Sequence, residues 1–214
     1  MIRRATPFEA GTLLARYAAG DPALAGRLGG DPRDEEAYVA AARARAEQPV
    51  PRAALVDALL PHHERLGADP ATLDAVRALG DDGTLVVATG QQPGLLTGPL
   101  YTIWKAATAI ALARTLEARL RRRVVPVFWV ASDDHDLGEI EGCHVLDADG
   151  EVRRFRVPLG DVAAPSSDLA VPTEAAEVFE AFLAASPPGP HDDALRDLAA
   201  PRPGERWPDW FSRV

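Results

Sequence analysis

Two polar clusters hold most of the side chains that could do chemistry. The first lies in "TGQQPGLLTGPLYTIWKA", residues 89–106. Gly90, Gly94 and Gly98 permit close backbone approach and positive φ. Pro99 suits a first helical turn, whose free N–H groups and positive dipole end favour an anion. Thr89, Gln91, Gln92 and Thr97 add neutral hydrogen-bonding groups, and Tyr101 and Lys105, four apart, share one helix face. This is the chemistry of a phosphate or carboxylate site. Its bland alternative is a tight strand-to-helix connection. Neither the Gly-Lys-Ser/Thr of a P-loop nor the dinucleotide Gly-x-Gly-x-x-Gly is present. The second cluster is "SDDHD", residues 132–136. His135 is suited to move a proton near neutral pH, with Asp133, Asp134 and Asp136 beside it. The same carboxylates could hold a divalent cation, or Ser132 or Asp133 could cap the next helix.

Other candidates read more plainly. Glu139 and Glu141 fit a solvated face. Cys143 and His144 are adjacent, so their side chains diverge, and Cys143 reads as a small buried residue. His62 and His63 point about 100° apart on a helix and cannot share a ligand. No metal site is assigned.

The elements that must position these clusters follow from periodicity. "LVVA" at 85–88 and "VVPVFWVA" at 124–131 read as strands buried on both faces. Between them, apolar residues from Leu100 to Leu120 recur at a helical period. Strand, helix and strand make a βαβ unit with parallel strands, which brings Thr89–Pro99 beside residues 132–136 at one sheet edge, where open α/β sheets bind ligands. Asp149-Gly150 between apolar-rich runs reads as a β-hairpin, and Glu174–Ala185 as a helix. "AAPSSD" and "SPPGPHDD" read as loops. Residues 1–80 form a helical segment packing on the core. There Asp21-Pro22, Asp31-Pro32 and Asp69-Pro70 serve as helix starts, and residues 52–66 form a further helix. Residues 81–214 form the core. Only two parallel strands are evident, so the sheet reads as incomplete. Trp207, Trp210 and Phe211 form an aromatic face that nothing later in the chain covers, which predicts a partner chain or an oligomer.

Composition narrows the functional classes. A net charge of −9 with a pI near 5.0 disfavours nucleic acid as a partner. The single cysteine excludes an internal disulfide framework and fits a reducing cytoplasm. No apolar run is long enough for a membrane span, and Met1–Arg4 leads into no signal-peptide core.

"TGQQPGLLTGPLYTIWKA" followed by "VVPVFWVASDDHDLGEI" resembles the bacillithiol biosynthesis cysteine-adding enzyme family, as do "DADGEVRRFRVPL" and the closing "PGERWPDWF". The resemblance spans essentially the whole chain. It implies a Rossmann-like, nucleotidyltransferase-type core followed by a coiled-coil arm, of which the later strands and the arm are absent here. One departure is Ser132-Asp133-Asp134, where the family often shows a small residue, Glu and Asp before the His. The activity implied is amide formation between cysteine and glucosaminyl-malate through an activated carboxyl, with ATP or another nucleotide suspected as activator. By carry-over, Thr89, Gly90, Gln91, Gln92, Gly98, Tyr101 and Asp136 would bind substrate or phosphate, and His135, Asp134 and Lys105 would act in catalysis. In one scheme the malate carboxyl is activated, Lys105 and the helix amides stabilise the oxyanion, and His135 takes a proton from the cysteine amine. The alternatives are a nucleotidyl or adenylyl transferase using the same pocket, and a non-catalytic half of a split enzyme.

Overall fold

The computed structural model describes residues 11–31, 33–160 and 164–214; Met1–Arg4 and Pro32 lie outside them. The amino-terminal part is helical: α1 (Leu13–Ala18), α2 (Pro22–Leu28), α3 (Glu35–Ala46), α4 (Arg52–Leu66) and α5 (Pro70–Ala78). Asp21 and Asp69 cap α2 and α5 by accepting the Ala23 and Thr72 N–H groups. Asp31 does not open a helix as expected. Its carboxylate is taken by the backbone and guanidinium of Arg33, and α3 starts three residues later on Asp34, which accepts from the Glu36 N–H.

The core begins with β1 (Leu85–Gln91), α6 (Tyr101–Leu120) and β2 (Val124–Val130). The strands pair in parallel, with Leu85 opposite Val124 and Gln91 opposite Val130. Helix α6 packs Ala113 and Leu116 on Leu85 and Val124, and Tyr38 and Ala42 of α3 close this small core from outside. Arg52 of α4 ties the helical segment down by donating to the Leu79 and Thr84 carbonyls.

A second core lies against the sheet end. It is built from α7 (Leu137–Ile140), the hairpin β3 (Gly142–Leu146) and β4 (Val152–Arg156), α8 (Ala175–Ala185), α9 (Asp192–Ala199) and α10 (Trp207–Arg213). The hairpin forms at Asp149-Gly150 as expected, with Gly150 at φ +80°. Asp147 holds its turn by accepting from the Asp149 and Glu151 N–H groups and from Arg153. Helix α9 was not expected. It starts inside the "SPPGPHDD" stretch, where the Asp192 carboxylate accepts the Gly189 N–H.

Two expectations are corrected. The strands are not buried on both faces along their length. β2 starts buried on both, with Val124 and Val125 at 4% and 3%, but Val86 and Trp129, on the Val125 side by the register, are 46% and 65% exposed. The outward stripe of α6, with Leu100, Ile103, Trp104 and Ile110, is also exposed. No further strand joins β1 or β2 among the described residues. The aromatic face of α10, in contrast, is covered. Trp207 is 1% and Trp210 3% exposed, their rings meet edge to face at 5.5 Å, and both sit in the second core with Leu95, Ile140, Val157 and Ala175. Phe211 is half-buried beside Phe128. Most of the covering residues precede Trp207 in sequence, so the helix turns back onto them, with Val214 packing beside it.

Trp207→Ala should destabilise the chain by about 3–5 kcal/mol, the usual cost of emptying a buried aromatic site, measured by urea unfolding. Iodide should quench Trp104 and Trp129, at 66% and 65% exposure, and spare Trp207 and Trp210. A Trp104→Phe, Trp129→Phe double variant should therefore lose nearly all of its quenchable emission.

Candidate functional site

Parallel pairing puts the ends of β1 and β2 side by side, and the Ala131 N–H extends the ladder to the Gln91 carbonyl at 3.0 Å. Gly90 is needed at this approach, because a Cβ there would stand 2.6 Å from the Trp129 oxygen. Beyond β1 the loop is strained. Leu96, Thr97 and Gly98 take φ of +49°, +73° and +68° in succession, and Thr97 is β-branched. Of the three loop glycines, only Gly98 uses a positive φ. Gly94 is required for space, since its Cβ would meet the Gly98 Cα at 2.8 Å. Burial of Pro93 and Leu95, together with the Trp207 indole N–H donating to the Pro93 carbonyl, holds the loop in this form.

A hydrogen-bond chain crosses the sheet end. Lys105 donates to the Gly90 carbonyl at 3.1 Å and to Gln91 Oε1 at 2.8 Å. Gln91 Nε2 donates to Gln92 Oε1 at 2.7 Å. Gln92 Nε2 donates to Asp134 Oδ2 at 3.2 Å and to Glu139 Oε2 at 2.8 Å. The chain runs from a cation to two carboxylates with every dipole aligned, an order in which each bond polarises the next. The Asp136 N–H and the Gln92 amide hold the Asp134 carboxyl below the usual carboxylate range, so it is ionised at neutral pH. Lys105 also lies 4.8 Å from the Tyr101 ring centroid.

These groups border a cleft of about 490 Å³ between the glycine loop and the β3–β4 hairpin. Gln91, Gln92, Gly94, Gly98 and the start of α6 through Tyr101 form one wall. Gly138, Glu139 and Ile140 of α7 with Gly142, Cys143, His144 and Arg154 of the hairpin form the other. Gln91, Gln92, Gly98 and Tyr101 line it. Thr89, Gly90 and Lys105 do not; Lys105 and the Gly90 carbonyl support the wall from behind. Asp134 reaches it through Gln92. His135 and Asp136 are exposed and lie outside the lining. The Asp134–Asp136 contact is a local turn just before α7, so Asp134 both closes that turn and connects to Gln92.

Several residues were missed or misread. Glu139 is bonded to Gln92 at the cleft, and Glu141 is buried against Arg156 at 2.7 Å, so neither is a merely solvated charge. Ser166, 1% exposed in a stretch taken for plain loop, fixes the "SDDHD" segment: its Oγ donates to the Ser132 carbonyl at 2.9 Å and its N–H to the Asp134 carbonyl at 2.9 Å. His144 and Arg154 became visible only when the hairpin was placed. His62 and His63 each have their own partner, Arg65 and the Leu59 carbonyl. Among the described residues, no three His, Cys, Asp or Glu side chains gather as a metal site, and no helix is long and apolar enough to cross a membrane.

The family model for the bacillithiol biosynthesis BshC N-terminal Rossmann-like domain matches residues 4–214. The chain belongs to this family. A Salinibacter ruber relative named "Putative cysteine ligase BshC" is 37% identical over 205 residues, covering 94% of this chain and 38% of the relative. Relatives of the same name from Symbiobacterium thermophilum and Bacillus thuringiensis are 49% and 54% identical over 104 and 86 residues. These cover 49% and 40% of this chain, and 18% and 16% of the relatives. The chain thus spans well under half the length of the curated relatives it matches. The BshC-family domain identity agrees with the parallel α/β core and the cleft at its carboxyl edge.

Cys143 touches the cleft yet is 5% exposed, and burial pushes its thiol up to about 11. At pH 8 it should remain a thiol and react with Ellman's reagent far more slowly in the native BshC-family domain than in denaturant. Rapid native labelling would overturn this.

Proposed function

We propose that this chain carries the substrate cleft of a ligase that joins cysteine to glucosaminyl-malate through an amide bond. The observation that supports it is a cleft in which Glu139 faces the glycine loop and the start of α6. Amide formation from a carboxylate in water is uphill, so the carboxyl must first be activated, and a nucleotide would supply that activation. Gly98 and the first turn of α6, which line the cleft, are the elements suited to a phosphate.

In place of the polarity expected above, the glucosaminyl amine is the nucleophile and cysteine supplies the activated carboxyl. Glu139, which lines the cleft, attracts an ammonium group and so sets where the amine sits. Lys105 is committed to the Gly90 carbonyl and to Gln91, so it acts as a positioning residue that orients the amide pair and not as an oxyanion donor. The amine proton passes to Glu139, the carboxylate that lines the cleft.

Mass spectrometry of bacillithiol formed from glucosaminyl-malate, cysteine and ATP tests the reading, with this chain alone and together with the remaining part of a full-length relative. Product is expected when the remainder is supplied. No product in either case would overturn the ligase reading. In the active form, Glu139→Gln should lower kcat/KM by about 10²-fold or more, as for a general base. An unchanged rate, with a comparable loss on His135→Ala, would move the proton-accepting role to His135.

A further inference from the structure

We infer that Arg154, opposite His144 on the β3–β4 hairpin, anchors a carboxylate of the ligand in the cleft; this rests on the ligase reading, in which malate supplies that carboxylate. Strand β4 carries three arginines, and two are already committed. Arg153 Nε donates to Asp147 at 2.7 Å, and Arg156 Nε to Glu141 at 2.7 Å. Arg154 has no acidic partner among the described residues, and it is the arginine that lines the cleft. The register sets it directly across from His144, which lines the cleft too. Gly142 lies beside the guanidinium, since a Cβ there would make ordinary contact with Arg154 Nε at 3.9 Å.

The rest of the cleft makes this cation necessary. Lys105, the expected anion partner, is satisfied behind the wall. The opposite charge at the cleft is Glu139, held by Gln92. The cavity is therefore bipolar, with a permanent cation on the hairpin and carboxylates toward α7. A ligand bearing a carboxylate at one end and an amine at the other would be oriented by both, and a planar guanidinium fork recognises a carboxylate through two parallel hydrogen bonds. The malate end would lie on the hairpin and the amino sugar beside Glu139.

Isothermal titration of this chain with L-malate and, separately, inorganic phosphate tests the assignment. The variants are Arg154→Gln, Arg154→Lys and, as a control, Arg114→Gln on the exposed side of α6. Arg154→Gln should weaken malate binding by about ten- to a hundredfold without changing the melting temperature, in line with loss of a charge-assisted pair. Arg154→Lys should fall between, keeping charge but losing the fork, and Arg114→Gln should bind as the unmodified chain does. Malate binding unaffected by Arg154→Gln overturns the inference, and so does binding of neither anion. Arg154-dependent binding of phosphate without malate keeps the anion anchor and overturns the malate assignment. Arg154-dependent malate binding with no bacillithiol formed keeps the anchor and removes the ligase reading.

Discussion

The hydrogen-bond chain from Lys105 through Gln91 and Gln92 to Asp134 and Glu139 is the interaction on which the site depends. It joins α6, the end of β1, the loop after β2 and α7, linking side chains from both halves of the βαβ unit. Its geometry requires the parallel register of β1 and β2, which brings residues 42 and 47 positions apart within hydrogen-bond reach. Each glutamine uses both ends of its amide, so neither can rotate without breaking two bonds. The result is a preorganised polar wall: its dipoles are aligned before a ligand arrives, which is the condition for electrostatic recognition at low reorganisation cost.

Strain in the glycine loop is balanced by burial below it. Consecutive left-handed residues at Leu96, Thr97 and Gly98 cost energy that local sequence does not recover. Leu95 and Pro93, almost wholly buried, and the Trp207 indole on the Pro93 carbonyl supply the opposing term. A helix near the carboxyl end of the chain thus shapes the loop that forms the mouth of the cleft. The same helix is linked to α4 of the amino-terminal segment through Arg65 and Asp209 at 2.6 Å.

The cleft also depends on the hairpin. Buried Glu141 and Asp147 tie down Arg156 and Arg153 and leave β4 with one uncommitted arginine at the cavity. The open surfaces lie elsewhere, on the free face of β1–β2 and the outer stripe of α6. Relatives more than twice as long as the aligned region have further chain with which to cover such a surface. Apolar exposure and the polar cleft are thereby separated among the described residues.

Short-range physics made much of this protein legible from sequence. The period of the apolar residues identified β1, α6 and β2, Asp-Pro pairs marked the starts of α2 and α5, and Asp-Gly marked the hairpin, because each signal is local. The spacing of Gln91, Gln92, Gly98 and Tyr101 on one strand–loop–helix unit likewise placed them at the cleft. Only the tertiary structure decided what depends on distant partners. Lys105 turned to a backbone carbonyl, Ser166 became a support for the "SDDHD" loop, and Trp207 and Trp210 went inside because residues far upstream had already formed their pocket. Arg154 and His144 entered the site through cross-strand pairing and hairpin docking, which no periodicity in a single segment encodes. A sequence states which side chains are available; which of them remain unpaired at a cavity depends on where every other charge has found its partner.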